Sequence, residues 1–286
     1  MTRWARLIGA GALVIAASRP LPGQGQEDPL ASMADAERAF ARAASTGGIR
    51  AAFLAYLDDE AIGFHPLFGR ARDEWQSRPE PPDPLATTLE WDPRTGAVAR
   101  DGRLGWLTGP YRLVPDRDAS KTVYGCYFSV WRRAADAPWR VYIDLGISTP
   151  EPCAAPAAFT RGPGSERPAT PLTREALIEA DHSFAELSST AGLEQGLSSL
   201  ADPGVRIHRD GRQPIAGRDA ALEAFKGDRA PWTFTMADAI LATSGDLGVT
   251  YGRAVGPGHA DAAAYVRVWR PDGQGRWRLA FDTLSR

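Results

Sequence analysis

The chain has 286 residues, enough for one large domain or two small ones, and 43% of them are hydrophobic and 24% charged, as in a folded globular protein. With 33 Lys+Arg against 35 Asp+Glu the formal net charge is −2, so no basic surplus points to nucleic acid or to an anionic membrane surface. Nearly all the cation is Arg, since Lys121 and Lys226 are the lysines, and the absence of Asn rules out an N-glycosylation sequon.

The chain opens like an export signal. Arg3 and Arg6 precede the apolar run Leu7 to Ala17, and Ala16-Ala17-Ser18 supplies small residues for cleavage. Residues 1–26 are therefore expected to be a signal peptide and short tail, and the protein to be secreted or periplasmic. The run is too short for a membrane span, which needs roughly 20 residues. Cys126 and Cys153 either pair in such a compartment or stand as two separate thiols; their spacing does not choose.

Helices come first. Met33, Ala36, Phe40 and Ala43 recur at helical spacing, with Ser32 and Asp35 as a capping box; Leu177, Ala180, Phe184 and Leu187 do the same behind Thr173. The breaks Ser45-Thr46-Gly47-Gly48 and Ser189-Thr190-Ala191-Gly192 end these helices. A short helix follows each, through Ile49, Phe53 and Leu57 or Leu193, Leu197 and Leu200, then a strand ending in His65 or His208. A third helix is expected near 73–77 and 218–225, and then four strands in each half: 87–93, 104–113, 123–132 and 139–146, against 232–237, 247–255, 262–270 and 277–283.

The two halves are copies. Tyr127-x-x-Val130-Trp131-Arg132, six residues, Trp139-Arg140-x-x-x-Asp144 matches Tyr265-x-x-Val268-Trp269-Arg270, six residues, Trp277-Arg278-x-x-x-Asp282. Upstream, Gly102-x-Leu104-Gly105-x-x-x-Gly109 matches Gly245-x-Leu247-Gly248-x-x-x-Gly252. Between the copies, 149–171 holds six prolines and reads as a semi-rigid linker. The expected domains are 30–148 and 172–286, both α+β, with helices first and an antiparallel meander after.

In the closing hairpin, a symmetric register places Tyr127 across from Asp144 and Trp131 across from Arg140. Alternation then gives one face with Phe128, Val130, Val141 and Ile143, expected to be the domain core, and one with Tyr127, Trp131, Tyr142 and Asp144. The second face is aromatic and amphipathic, so Trp131, Tyr142 and Trp269 are expected to lie between the halves, in an intramolecular pseudo-dimer.

The helix with its small-residue break, the G-x-L-G-x-x-x-G strand and the V-W-R…W-R hairpin with its terminal Asp resemble the nuclear-transport-factor-2-like superfamily. More narrowly they resemble its ketosteroid-isomerase-like and SnoaL-like groups, over nearly all of the chain after the signal. The resemblance implies two cone-like domains, each with helices on a curved, mostly antiparallel sheet and a pocket between them. It implies no single chemistry, because this scaffold hosts isomerases, cyclases, dehydratases and adaptors. A proton-transfer reaction there needs a carboxylate or imidazole beside hydrogen-bond donors. By residue type the candidates are His65 and Asp144 in the first copy and His208 and Asp282 in the second. Each has a structural alternative: an edge histidine, a Tyr–Asp pair or a salt bridge.

Candidate ligand-binding residues are Trp91, Tyr111, Tyr127, Phe234, Tyr251 and Tyr265. The prolines within 79–84 are a candidate rim. No nucleotide-binding, zinc-protease or serine-hydrolase motif occurs, so no cofactor or metal is expected. The leading expectation is an exported tandem protein that binds a small hydrophobic molecule in one or both cones. A cofactor-independent isomerase, cyclase or dehydratase acting on a carbonyl compound is the rival, and a protein-interaction module the third reading.

Overall fold

The computed structural model describes residues 28–64, 67–163, 172–256 and 262–285. The expected signal segment, His65 and His259 lie outside them.

The first domain runs α1 (Pro29–Gly47), α2 (Ile49–Tyr56), β1 (Leu57–Phe64), β2 (Leu67–Arg70), α3 (Ala71–Ser77), β3 (Thr88–Trp91), β4 (Thr95–Val98), β5 (Leu104–Val114), β6 (Val123–Arg132), β7 (Arg140–Thr149) and β8 (Thr160–Arg161). Its sheet order is β2-β1-β7-β6-β5-β4-β8, with β3 also on β5. The second runs α4 (Arg174–Ala191), α5 (Leu193–Leu200), β9 (Ala201–Arg209), β10 (Ile215–Ala216), α6 (Arg218–Ala224), β11 (Thr233–Leu241), β12 (Gly248–Val255), β13 (Ala263–Pro271) and β14 (Trp277–Ser285). Its order is β10-β9-β14-β13-β12-β11. Apart from β3 and β4, which stand against the single β11, and the added β8, the same element order in both halves gives two α+β domains, each with its helices against one curved, mostly antiparallel sheet; β1 with β7, β4 with β8 and β9 with β14 are the parallel pairs.

Local chemistry sets the helix ends. α1 begins four residues before the expected capping box, because Asp28 caps Leu30 N at 3.1 Å and Pro29 takes the first helical position, where its missing N–H costs nothing. α4 starts where Thr173 caps Ala176 N at 3.2 Å. Gly48 and Gly192 stop α1 and α4 at φ 91° and 92°, values that side-chain-bearing residues rarely adopt. A Cβ at Gly192 would also stand 2.0 Å from the Asp228 carbonyl.

The hairpin differs from the symmetric register. A bulge between Val130 and Trp131 pairs Ser129 with Asp144, Tyr127 with Gly146 and Trp131 with Val141. Val141 thereby joins Trp131 and Tyr127 on the helix side, in a cluster with Leu30, Met33, Phe40 and Phe53. Trp269 likewise packs under α4 with Leu177 and Phe184.

The face expected to be the domain core is instead the inter-domain core. Phe128, Val130, Ile143 and Trp106 pack with Val249, Val266, Val268 and Phe281 of the other sheet. The Phe128 and Phe281 rings stack with centres 4.3 Å apart. The halves do pack sheet to sheet, but of the three residues expected at the contact only Tyr142 is there. Trp131 and Trp269 turn inward because each indole N–H finds a partner on its own helix side. Polar contacts rim the joint: Ser244 N donates to Asp101 at 3.1 Å, Gly211 N to Ser148 O at 2.9 Å and Ser285 Oγ to Gly146 O at 2.6 Å.

The first half of the expected linker is part of the first domain. Cys126 and Cys153 form a disulfide across a separation of 27 residues, and β8 adds to the sheet parallel to β4.

Candidate functional site in the first cone

The first domain's chamber, about 440 Å³, lies between the helices and the sheet. β6 and β7 supply Tyr127 and Asp144, β5 supplies Tyr111 and Leu113, β3 supplies Leu89 and Trp91, and α2 supplies Phe53. Arg78, just after α3, completes the wall. Four of the sequence candidates, Trp91, Tyr111, Tyr127 and Asp144, therefore meet at one cavity. Phe53, Arg78, Asp144, Leu145 and Gly146 also wall a cleft of about 520 Å³, which Ala262, Ala264 and Ser285 of the second domain close. The expected proline rim is present: Pro79, Pro81, Pro82 and Pro84 line a third cavity of about 660 Å³ that shares Phe53, Arg78, Leu89 and Leu113 with the chamber.

Behind the chamber sits Glu37, fully buried on α1, a residue that the sequence reading did not single out. It accepts hydrogen bonds from Trp91 Nε1 at 2.7 Å, Trp131 Nε1 at 2.7 Å and Ser129 Oγ at 2.6 Å. Burial raises its pKa, and the three donors pull the other way. Asp144 has no such donors. Burial, and then the neighbouring Glu37, hold its carboxyl well above the usual range. A carboxylate needs donors when it leaves water, so of the two groups Glu37 is the one built for charge and Asp144 the one built to keep its proton.

The Tyr127 hydroxyl is buried and makes no hydrogen bond among the described residues. Burial, Glu37 and Asp144 all push its pKa up, so it stays a donor. A carboxyl and a phenol whose pKa values are both pushed up thus face one largely apolar chamber.

The second cone has the same frame and different contents. Asp181 on α4 stands where Glu37 stands on α1, and Arg267 stands where Ser129 does. Arg267 Nη1 reaches Asp181 at 2.9 Å and its Nε reaches Asp282 at 3.1 Å. Its guanidinium lies 4.3 Å from the Phe184 ring centre and 4.2 Å from those of Phe234 and Tyr265. Tyr265 OH donates to Asp181 at 3.0 Å. Burial of Asp282 is outweighed by Arg209 and Arg267, which hold its pKa low. Asp282, Phe234 and Tyr265 therefore meet as expected, but around a side chain of the protein itself. A cavity of about 510 Å³ lies at this end of the domain, lined by Arg209, Arg212, Phe225 and Trp232, and Asp282 is not on it.

Two candidates face the other way. His208 and Tyr251 are on the inter-domain side, His208 with its ring 4.6 Å from Phe281 and Tyr251 6.0 Å from Phe68. Burial, helped by Arg206 and Arg209, pushes His208 down to about 3, so it is a neutral ring of the joint. His65 lies outside the described residues. Among the described residues no cluster of three His, Cys, Asp or Glu stands ready for a metal, and no helix is long and apolar enough to cross a membrane.

With this geometry in view, comparison with known proteins adds a fold likeness. The chain is similar to NTF2-like proteins. One is an NTF-2 like protein of unknown function from Shewanella oneidensis, 15% identical, matched over 39% of this chain and 98% of its own, with TM-score 0.34. Others are a putative ketosteroid isomerase from Parabacteroides distasonis (17% identical, 39% and 86% covered, TM-score 0.33) and a ketosteroid isomerase-like protein from Erwinia carotovora (17%, 39% and 94%, 0.32). No protein-family model matches the chain, and neither does any curated protein. The two-domain architecture rests on the strand order and packing above, not on these likenesses.

Proposed function

We propose that the first domain binds a small apolar carbonyl compound, that the second domain is its structural partner, and that the protein is exported. The observation that carries the binding reading is the Tyr127 hydroxyl, a buried donor without a partner among the described residues, beside Asp144, whose carboxyl burial moves toward the protonated form, on an otherwise largely apolar chamber. Buried donors without acceptors cost free energy, and a ligand carbonyl oxygen would satisfy them. In the second cone Arg267 already engages both carboxylates, and its own unpartnered Nη2 is not on the wall of the cavity of about 510 Å³. The disulfide supports export, because such bonds persist in oxidising compartments.

A solvatochromic naphthyl ketone tests this. One molecule per chain is expected, with emission shifted as for a hydrogen-bonded carbonyl. Tyr127→Phe should weaken binding by about tenfold, the worth of one good hydrogen bond. Asp144→Asn, which keeps a donor, should bind better than Asp144→Leu. No binding, or binding indifferent to both positions, would refute the reading.

Proton-transfer catalysis is the second reading, favoured by one observation: burial and Glu37 move the Asp144 pKa up from the carboxylate range, the direction that a general acid–base group needs. Exchange of the ketone's α-hydrogens for deuterium in wild type and not in Asp144→Asn would support it. Equal exchange in both would leave binding alone.

A further inference from the structure

We propose that the first domain's chamber selects a carbonyl compound that also carries a carboxylate, with the Arg78 guanidinium as the group that receives the anion. This deepens the binding reading and rests on it.

Arg78 and Asp144 are the residues of charged type on the chamber wall; the others are Phe53, Leu89, Trp91, Tyr111, Leu113, Tyr127, Leu145 and Gly146. No ion pair joins Asp144 to Arg78 among the described residues, and burial moves the Asp144 carboxyl toward its neutral form. Among the described residues the guanidinium of Arg78 pairs with Glu74 four residues earlier, through Nη2 alone. A guanidinium has five N–H donors, so most of its donor capacity is left for a ligand. Glu74 walls the neighbouring cleft but not the chamber, so it does not stand where an anion would enter.

The guanidinium is also held in place. It lies 3.9 Å from the Trp75 ring centre, and Trp75 stacks on Phe53 with ring centres 4.2 Å apart. A planar fork fixed against a ring suits bidentate recognition of a carboxylate, and its half-exposed position at the chamber's edge leaves it open to a charged group arriving from solvent. Arg78 walls the chamber, the cleft and the proline-rimmed cavity, so a ligand moving between chamber and cleft meets it on either path. The anion at Arg78 and the protonated pair at Tyr127 and Asp144 would thus grip opposite kinds of oxygen on one molecule, charged at one point and neutral at the other.

The test uses the full chain and a matched pair of probes: a naphthyl ketone with a propanoate tail, and the methyl ester of the same acid. Quenching of tryptophan fluorescence at pH 7 and low salt gives both affinities. The acid is expected to bind at least about tenfold tighter than the ester, and the advantage should shrink as salt is added. Arg78→Met should erase the preference while moving ester affinity by less than about threefold. Glu74→Gln, which leaves the fold's core untouched, should raise acid affinity several-fold because it removes the competing carboxylate. Equal affinities for acid and ester, tighter ester binding, or a preference that survives Arg78→Met would overturn the assignment of Arg78 and leave the carbonyl reading standing. If neither probe binds, the carbonyl reading falls and this inference falls with it.

Discussion

Ser129 and Arg267 occupy the same strand position in the two domains, and the exchange of one for the other decides what each cone contains. Ser129 Oγ reaches 2.6 Å to Glu37 and goes no further, leaving Asp144 without an ionic partner. Arg267 fills the equivalent space, bridging Asp181 and Asp282 between three aromatic rings. One duplicated frame thus holds an open chamber on one side and an internal ion triad on the other.

Arg267→Met should therefore be among the most damaging single changes in the protein. It would leave Asp181 buried without its cation and Asp282 with Arg209 alone, at a cost of about 3–5 kcal/mol in urea unfolding. Adding Asp181→Asn and Asp282→Asn to it should recover much of that loss, since burying neutral amides in place of unpaired charges is cheaper. A small effect for Arg267→Met alone would mean that the triad is not what fills the second cone.

Stability should respond to pH through Asp144 in a direction opposite to most carboxylates. Its folded pKa is raised from 3.8, so the folded state holds the proton more tightly than the unfolded chain. That contribution is complete below the unfolded value and is lost as pH rises through the folded one. Asp282, and Asp272 at about 2, are lowered instead, so their contributions are present above 3.8 and lost as pH falls. Thermal melts across the acid and neutral range should show Asp144→Asn gaining on wild type as pH increases above about 4. A gap of constant size would contradict the protonated state assigned to Asp144.

Glu37→Leu should destabilise the first domain by about 3 kcal/mol, because it takes the acceptor from the Trp91 indole N–H and the Ser129 hydroxyl and leaves Trp131 Nε1 with only Ser129 Oγ at 3.0 Å. Ser129→Ala removes one donor of three and should cost about 1 kcal/mol. Chemical denaturation of both variants separates the outcomes: equal losses would show that the carboxylate is not the hub of the network.

Much of this was legible in the sequence, and the rest was hidden for definite reasons. The duplication is visible because identical residues recur at constant spacing, and it fixes two α+β domains with a hairpin at each end. The face assignment was not legible, because β6, β7, β13 and β14 are buried on both sides and alternation does not say which side holds helices. The bulge at Trp131 then shifts Val141 from one face to the other, which no alternation rule anticipates. Glu37 and Asp181 did leave a signal: each interrupts an apolar helical stripe, Met33-Phe40-Ala44 or Leu177-Phe184-Ser188, at the same place in both copies. Ser129 and Arg267 left another, as a small residue exchanged for a cation inside otherwise matching strings.

Breaking the disulfide by Cys126→Ser with Cys153→Ser should lower stability by about 3.5 kcal/mol, the loop-closure value for a spacing of 27 residues. Since the bond pins the segment leading to β8, limited proteolysis should cut between 150 and 163 much faster in the double variant. An unchanged cleavage rate would show that β8 holds that segment unaided. Export is checked separately: non-reducing mass spectrometry of protein from the native host should show the bond formed and the first residues removed.

The stacked rings of Phe128 and Phe281 allow the joint between domains to be tested without cutting the chain. Each ring belongs to a different sheet, yet both sit in one cluster with Trp106, Val249 and Val266. Phe281→Ala should cost about 3–5 kcal/mol, as for other buried Phe deletions, and Phe128→Ala a similar amount. If the sheets share one core, the losses will not add: the double variant should be more stable than the sum by about 0.5–1.5 kcal/mol, the coupling of an aromatic pair. Trp131→Phe and Trp269→Phe form the control cycle. They are equally buried but lie under different helices, α1 and α4, with no shared partner, so their losses should add within about 0.5 kcal/mol. Coupling in the tryptophan cycle and none in the phenylalanine cycle would restore the arrangement read from the hairpin alone, with the tryptophan faces meeting between the domains.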